Sequence, residues 1–216
     1  MSPAPEVLFA DAHLLVLNKP SGMLTEGGGD RETDLEQVAT QLTGKPAFAC
    51  HRLDRLTSGA VLLRRGGKYK AELAALFEQR QMRKLYWAIV EGAWPAGRAK
   101  IETQVAPADA GVWANVTAGG QLAVSTFQVL GHSPSEDRTW LAVLLKTGRT
   151  HQARLHCQHA GCPIIGDPVY GSGRPAELFG LHARELRFRH PATGAEVKVA
   201  AASPAAWADA LACFAA

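Results

Sequence analysis

Short apolar segments separated by turn residues recur along the whole chain, and only a few stretches have the period of an amphipathic helix. Segments of this kind predict β-strands. The predicted strands cover residues 7–9, 14–17, 60–63, 85–90, 124–130, 140–145, 186–188 and 197–199. The predicted helices cover residues 33–42, 70–81, 150–160 and 205–214. Because strands and helices do not alternate regularly, the sequence predicts an α+β fold rather than a doubly wound parallel sheet.

Length and composition are those of an ordinary globular protein. The 216 residues fit a single domain over residues 1–216, and apolar residues make up 47% of the chain. No apolar run approaches the roughly 20 residues that a membrane-spanning helix requires. The first residues, MSPAPE, lack the basic and apolar regions of a signal peptide. We therefore expect a cytoplasmic protein that does not contact a membrane.

Charge is unevenly distributed along the chain, although the formal net charge is only +3. A basic band lies within residues 64–84 and consists of Arg64, Arg65, Lys68, Lys70, Arg80, Arg83 and Lys84. The N-terminal stretch is acidic instead, with Asp11, Glu26, Asp30, Glu32, Asp34 and Glu36. The basic band suits a polyanion lying along one side of the protein, and a solvated helix face is the alternative interpretation.

The four cysteines predict neither disulfides nor a metal site. Without a secretory signal, we expect reduced thiols. Cys157 and Cys162 lie near His151, His156 and His159, but their spacing does not match a zinc finger or zinc ribbon. We therefore expect no bound metal.

The densest group of reactive residues is the segment HRLDRLTSG, residues 51–59. It places Asp54 between Arg52 and Arg55, just before a predicted strand. Nearby arginines would keep a carboxylate ionised, as a nucleophile or a base requires. The alternative is a structural loop held by an aspartate–arginine ion pair, and the residues alone do not decide between the two.

A second group is the segment KTGRTHQARLH, residues 146–156, which joins a predicted strand to a predicted helix. Gly148 permits a tight turn, and the helix N-terminus with Arg149 can form an anion site. The anion would be a phosphate or a carboxylate such as Asp54. A helix start with basic surface residues is the alternative.

The segment at residues 51–59 resembles the HRLDxxTSG motif of the RluA family of RNA pseudouridine synthases. Further segments resemble the family's other motifs in the same order, and the resemblance covers about residues 7–201. They are NKPSGM at residues 18–23, KLYWAIVEG at 84–92, the segment 146–156 continued by GCPIIGDPVYG at 161–171, and LHA at 181–183. Ala153 departs from the Ile or Leu common in the family, and the loop after Met23 lacks a histidine often found there.

This resemblance implies a pseudouridine synthase fold: a mixed, mainly antiparallel sheet with flanking helices and a central RNA-binding cleft. It also implies an isomerase that breaks the N-glycosidic bond of a uridine, turns the base and rejoins it through C5, without a cofactor. Because a base inside folded RNA is not accessible, the nucleotide must be flipped out. Because the matching motifs begin close to the first residue, we expect no separate N-terminal RNA-binding domain and expect the catalytic domain to bind the RNA.

The resemblance also implies residue roles. Asp54 is the catalytic carboxylate, which attacks C1′, abstracts a proton from C2′ or adds to C6 of the base. Tyr86 lies against the flipped base and serves as a candidate base for the C5 proton. Arg149 pairs with Asp54, with Arg154 as the alternative partner. Arg52 invades the RNA stack, with Arg55 as its alternative.

RNA contacts are expected from the motif residues and from part of the basic band. They are Arg52, Arg55, Arg80, Arg83, Lys84, His151 and Arg154. The substrate is expected to be a stem-loop of ribosomal or transfer RNA, and the protein a monomer. For His51, His151 and His156 we expect structural or RNA-contacting roles rather than acid–base catalysis.

Three other classes of protein are alternatives to an isomerase. A non-catalytic RNA-binding module would not need Asp54. A hydrolase of N-glycosidic bonds would also use a carboxylate, but it would release free uracil. A zinc-dependent base deaminase would need the H-x-E and P-C-x-x-C pattern, which the sequence lacks.

Overall fold

The computed structural model describes residues 4–214, which fold into two compact units. Unit 1 comprises the chain up to Lys84 together with His182–Pro204. Unit 2 comprises Leu85–Leu181 together with the chain from Ala205 onward. Each unit contains strands and helices, and this confirms the predicted α+β class.

The elements are numbered here in chain order. The strands are β1 (Glu6–Ala10), β2 (Leu14–Lys19), β3 (Ala47–Ala49), β4 (Ser58–Arg65), β5 (Arg83–Glu91), β6 (Lys100–Pro107), β7 (Trp113–Val116), β8 (Gln121–Ser133), β9 (Arg138–Leu145), β10 (Leu181–Arg189) and β11 (Glu196–Ala200). The helices are α1 (Leu35–Thr43), α2 (Lys70–Glu78), α3 (Gln152–His159) and α4 (Trp207–Ala212). None of the helices in residues 4–214 is long and apolar enough to span a membrane.

The sheet of unit 1 is mixed. Its strands follow the order β1-β2-β4-β10, with β3 paired to β4 and β11 paired to β10. The pairing of β4 with β10 is parallel, and the other pairings are antiparallel. The interior strands β2 and β4 are the most buried, because Leu14–Leu17 and Ala60–Leu63 are almost inaccessible to solvent. Their continuous apolar sequences reflect burial on both faces.

Helix α2 and Met82, which follows it, pack against this sheet. Leu73 of α2 and Met82 pack in one cluster with Leu62 of β4, together with Phe188 of β10 and Val199 of β11. The amphipathic face predicted for residues 70–81 is therefore the face that is buried.

The end of α2 differs from the prediction. The helix ends at Glu78 because Arg80 adopts a left-handed conformation, with φ of 58°. The Gln81 N–H then donates to the Leu76 carbonyl, which closes the helix end. Glycine usually occupies such a position, and this is why the hydrophobic period alone placed the end three residues too late.

Helix α1 begins at an acidic residue of the N-terminal stretch. The Asp34 carboxylate accepts a hydrogen bond from the Gln37 N–H, and the Gln37 side chain accepts one from the Asp34 N–H. This reciprocal arrangement is a capping box. Asp34 also accepts from the Gly28 N–H and so attaches the preceding loop to the helix.

Unit 2 contains a second group of strands in the order β5-β9-β8-β6-β7. Strand β6 pairs with β7 and with β8, and β8 pairs with β9, in each case antiparallel. Leu155 of α3 packs with Val105 of β6 and Ala123 of β8. Trp207 of α4 packs with Ile89 of β5 in a separate cluster.

Three strands were not predicted from the sequence. They are β3, β6 and β7. Strand β3 is only three residues long and contains two alanines, and β6 has Lys, Glu, Thr and Gln among its apolar residues. Strand β7 has intermediate exposure throughout. Short or partly polar segments of this kind form strands because neighbouring strands supply hydrogen-bond partners. The local composition does not reveal those partners.

Gly59 provides a test of the packing in unit 1. It lies in β4 with φ of 114°, and a Cβ atom there would lie 2.3 Å from the Ala183 carbonyl oxygen in β10. We expect Gly59→Ala to lower the free energy of unfolding by about 2–5 kcal/mol, because left-handed strain and overpacking add. Urea unfolding followed by circular dichroism measures this change.

Gly66→Ala is the matched control, because Gly66 also has a positive φ, 73°, but nothing lies within 4 Å of its added Cβ. This variant should lose only the strain contribution, about 1–2 kcal/mol. Equal losses in the two variants would contradict the predicted contact with β10.

Candidate active site

Asp54 lies in the loop between β3 and β4, within unit 1. Its side chain is partly buried, while its neighbour Leu53 is buried. The Thr57 N–H donates to the Asp54 carbonyl, which turns the loop into β4. The predicted catalytic carboxylate therefore lies on a short turn, closed by a backbone hydrogen bond, at the start of a core strand.

The two arginines beside Asp54 form ion pairs with the acidic N-terminal stretch. Arg52 contacts Glu26 at 3.2 Å, and Arg55 contacts Glu32 at 2.7 Å. The Arg52 side chain is 68% exposed and the Arg55 side chain 50% exposed. Ion pairs this exposed contribute little to stability, so both guanidinium groups can exchange partners at low cost.

His51 has a structural contact at the start of the same loop. Its Nε2 accepts a hydrogen bond from the Leu62 N–H at 3.0 Å, and its ring packs against Phe77. Burial, together with the charge of Lys84, lowers the pKa of His51 to about 3. The imidazole is therefore neutral at neutral pH.

Lys19 and Thr25 contact the Asp54 loop, although sequence analysis gave them no role. The Lys19 ammonium is buried and donates to the Arg55 carbonyl. Burial lowers the pKa of Lys19 to about 7, against the opposing influence of the Asp54 charge. The signal in the sequence was a lysine at the end of a largely apolar strand.

Tyr86 lies in β5, within unit 2. Its side chain is 7% exposed, and Ala88 and Val90 are buried as well. These three residues share one side of the strand, and Ile89 on the opposite side is buried as well.

Arg149 lies in the turn between β9 and α3. Its Nε donates to the Leu122 carbonyl at 3.1 Å, and its backbone N–H donates to Gln152 Oε1. The buried Gln152 side chain also donates to the Val124 carbonyl, which attaches the turn to β8. Arg149 is thus held on a turn that is fixed to β8 and to the start of α3.

Arg154 has a different environment from Arg149. Its Nε and Nη2 donate to the two carboxylate oxygens of Asp167 at 2.7 and 2.8 Å, and its side chain is only 6% exposed. The guanidinium carbon lies 4.8 Å from the centre of the Tyr170 ring. Burial and bidentate pairing favour a structural role for Arg154 over the predicted contact with RNA phosphates.

The histidines of the second motif make contacts within unit 2. His151 precedes α3 in a left-handed conformation, and its Nδ1 lies 2.9 Å from the Tyr170 hydroxyl. His156 lies between Thr103 and Ser125 at 3.1 and 2.9 Å. Burial, with the nearby His159, lowers the pKa of His156 to about 4.

The basic band divides into two sets within unit 1. Arg64 and Arg65 donate to the carbonyls of Gly66 and Asp11, and Arg64 also lies over the Phe48 ring. The more exposed set extends from the loop before α2 to the start of β5. It consists of Lys68, Lys70, Arg80 and Arg83, with Lys84 partly buried.

The four cysteines are thiols, and burial raises the pKa of Cys157 and of Cys162. Across residues 4–214, no three His, Cys, Asp or Glu side chains are grouped so that they could hold a metal ion.

The fold matches that of solved pseudouridine synthase domains. The structure of human RNA pseudouridylate synthase domain containing 1 has a TM-score of 0.80 and 25% identity, with 99% of this chain and 91% of that chain covered. The protein therefore has a pseudouridine synthase fold, as the motif resemblance implied.

Sequence comparison assigns the family. The profile of the RNA pseudouridylate synthase family matches residues 13–159. An uncharacterized RNA pseudouridine synthase, YhcT, from Bacillus subtilis is 32% identical over 93% of this chain. Ribosomal large subunit pseudouridine synthase C from Escherichia coli is 34% identical over 92% of this chain. The chain belongs to the RNA pseudouridylate synthase family, whose members are isomerases acting on RNA, and the resemblance to the RluA family is confirmed.

The relatives are longer than this chain. The matched region covers 69% of the Bacillus protein and 66% of the Escherichia coli protein.

The ion pair of Arg154 with Asp167 gives a prediction about stability and pH. Burial raises the pKa of Asp167, but the hydrogen bonds from Arg154 and from the Tyr170 and Val169 N–H groups together hold it below its ordinary value. The resulting stability is present above about pH 4, the usual pKa of an unfolded aspartate, and is lost as the pH falls through the lowered pKa. Asp167→Asn should flatten this acidic loss and lower the free energy of unfolding by about 3–5 kcal/mol at neutral pH, because it leaves a buried guanidinium without its carboxylate.

Asp137→Asn is the control, because Asp137 pairs with Arg174 at 2.9 Å with both side chains exposed. It should change the free energy of unfolding by less than about 1 kcal/mol. Urea unfolding followed by tryptophan fluorescence measures both variants, and equal losses would show that burial does not strengthen the first pair.

Proposed function

We propose that this chain isomerises specific uridines in structured RNA to pseudouridine. The observation that carries the proposal is the loop at residues 51–59, where the HRLDxxTSG motif is complete around Asp54 within the segment that the family profile matches. The bond between uracil N1 and ribose C1′ breaks, the base turns, and a bond forms between C1′ and C5. The C5 proton leaves and N1 gains a proton, so no redox cofactor is needed.

Asp54 is the proposed catalytic carboxylate. It either attacks C1′ to form a covalent intermediate or removes a proton from C2′ to give a glycal. Its position on a turn that enters a core strand supports the proposal, because a reacting group must be held in a defined geometry.

Tyr86 and an arginine complete the proposed chemistry. Tyr86 lies against the flipped base, with its hydroxyl as a candidate acceptor of the C5 proton. Arg149 is the proposed cation that orients Asp54, supported by its fixed turn. Arg154 is the alternative partner, but its bidentate pairing with Asp167 favours a structural role.

Arg52 and Arg55 are proposed to contact the RNA on either side of Asp54. A flipped nucleotide leaves a gap in the stack, and Arg52 is proposed to fill it. The exposed pairs with Glu26 and Glu32 support this role, because phosphates can replace carboxylates as partners of the guanidinium groups. His151 and Lys84 are retained as further candidate contacts.

The proposed substrate is a ribosomal RNA stem-loop, because several relatives are named as ribosomal large subunit synthases. Transfer RNA is the alternative. The proposal also includes a single catalytic domain over residues 1–216, a monomer and a cytoplasmic location.

The first test concerns the carboxylate. Asp54→Asn should reduce tritium release from RNA labelled at uracil C5 by at least about 1000-fold, because it removes the group that attacks or deprotonates the ribose, and RNA should still bind. Asp30→Asn, an exposed change in the same acidic stretch, should leave turnover unchanged. Turnover by Asp54→Asn at the wild-type rate would exclude the assignment.

Product analysis separates the proposal from the hydrolase alternative. An isomerase leaves pseudouridine in the RNA, whereas a hydrolase releases free uracil and leaves an abasic site. Mapping pseudouridines in total RNA with and without the gene identifies the modified uridine.

The basic band gives a prediction about salt dependence. If Arg80 and Arg83 neutralise phosphates, the slope of log affinity against log salt should become shallower by roughly 0.7–0.9 for each residue removed. Arg80→Asn with Arg83→Gln is the appropriate double variant, because asparagine tolerates the left-handed backbone at residue 80. The rate on saturating RNA should stay within about twofold, since these side chains bind without reacting.

Arg189→Gln with Lys198→Gln is the control for this experiment. It removes the same charge from exposed positions of β10 and β11 in the same unit. The salt slope should stay at the wild-type value in the control, and an equal change in both double variants would show that the basic band has no special role.

A further inference from the structure

Three polar side chains of residues 19–25 contact the backbone around Asp54, and the chemistry above does not use them. We call residues 19–25 the clamp segment. Lys19 lies at the end of β2, and Ser21 and Thr25 lie in the loop that follows it. All three bond to main-chain groups of the Asp54 loop, within unit 1.

Lys19 is fully buried, which is rare for a lysine. Its Nζ donates to the Arg55 carbonyl at 3.0 Å, to the Met23 carbonyl at 2.7 Å and to the Pro20 carbonyl at 3.2 Å. An ammonium group has three donors, and each has a carbonyl acceptor here. Lys19 therefore joins the clamp segment to the residue that follows Asp54.

Thr25 bonds to the residue that precedes Asp54. Its hydroxyl donates to the Leu53 carbonyl at 3.1 Å and accepts from the Leu53 N–H at 3.2 Å. Both polar groups of one residue are thus satisfied by one side chain that is 3% exposed. Burial makes the loss of these bonds costly, because water cannot replace them.

Two further bonds complete the contact. The Ser21 hydroxyl donates to the Leu56 carbonyl at 2.6 Å, and the Gly22 N–H donates to the Arg55 carbonyl at 2.9 Å. The backbone is consequently fixed on both sides of Asp54, although this part of the chain belongs to no strand or helix.

We propose that Lys19, Ser21 and Thr25 are positioning residues that hold the backbone on both sides of Asp54 and thereby direct its carboxylate. This inference rests on the proposed function, in which Asp54 reacts with the ribose. The Asp54 carboxylate is separated from its backbone by only two rotatable bonds, so a shift of the loop moves the reacting atom almost equally. Misplacement of a reacting group by about 1 Å can cost about 100-fold in rate.

The test separates positioning from stability. Thr25→Val keeps the shape of the side chain and removes both bonds to Leu53. We expect the rate on saturating RNA to fall by about 10- to 100-fold, with KM changed less than about threefold, since the side chain does not touch substrate. Thr25→Ser keeps the hydroxyl and should restore the rate to within about threefold of the wild type.

Thr43→Val is the matched control. The Thr43 hydroxyl also donates to backbone carbonyls, those of Ala39 and Lys45, but it lies at the end of α1. Thr43→Val should lower the free energy of unfolding but leave the rate on saturating RNA unchanged. Amide hydrogen exchange gives a reading that is independent of activity. The exchange rate of the Leu53 N–H should rise in Thr25→Val and stay at the wild-type value in Thr43→Val.

Ser21→Ala covers the case in which Thr25→Val does not fold, because Ser21 is exposed and its loss leaves no buried group unpaired. Its rate should fall by about threefold or more. The positioning role is overturned if folded Thr25→Val turns over at the rate of Thr43→Val. If Thr25→Val does not fold, the same result for Ser21→Ala overturns it. Neither result contradicts the proposed function. A wild-type protein that forms no pseudouridine in RNA would overturn the proposed function itself.

Discussion

The pairing of β2 with β4 is the constraint on which the Asp54 site depends. In this antiparallel pair Lys19 lies opposite Gly59, so the chain leaving β2 and the chain entering β4 meet at the same end of the two strands. That geometry brings residues 19–25 beside residues 53–56, and the hydrogen bonds of the clamp segment follow from it. A register shift of one residue would exchange side chains between the two buried faces of this pair and displace the two segments relative to each other.

The sequence predicts the elements in which apolar residues are continuous or have a clear period. Strands β2, β4 and β9 belong to this set, because their buried positions are mostly occupied by apolar residues. Strand β6 was missed, since its pairing with β7 and β8 decides its conformation. The end of α2 was placed wrongly because a left-handed arginine, unlike a glycine, has no signature in the sequence.

The site shows the same division between local and distant information. Asp54 and its flanking arginines are adjacent in the sequence, so the motif is visible without a structure. The contacts of Lys19 and Thr25 join residues 36 and 28 positions apart, and they involve main-chain atoms, which every residue carries. In the sequence, the carboxylates that pair with Arg52 and Arg55 are visible only as members of an acidic stretch. The sequence does not indicate which acidic residue pairs with which arginine.

The exposed and the buried cations of this chain differ in how firmly their partners hold them, and this difference bears on function. Arg52 and Arg55 pair with glutamates in solvent, where an ion pair contributes about 1 kcal/mol or less. A polyanion can therefore displace those glutamates, because exchanging one exposed ion-pair partner for another costs these arginines little free energy. Arg154 and Lys19 are buried, and each donates to fixed protein acceptors whose loss would leave a dehydrated charge. Exposed cations are thus suited to binding a substrate that arrives and leaves, whereas buried cations are suited to holding the protein groups around them in a fixed arrangement.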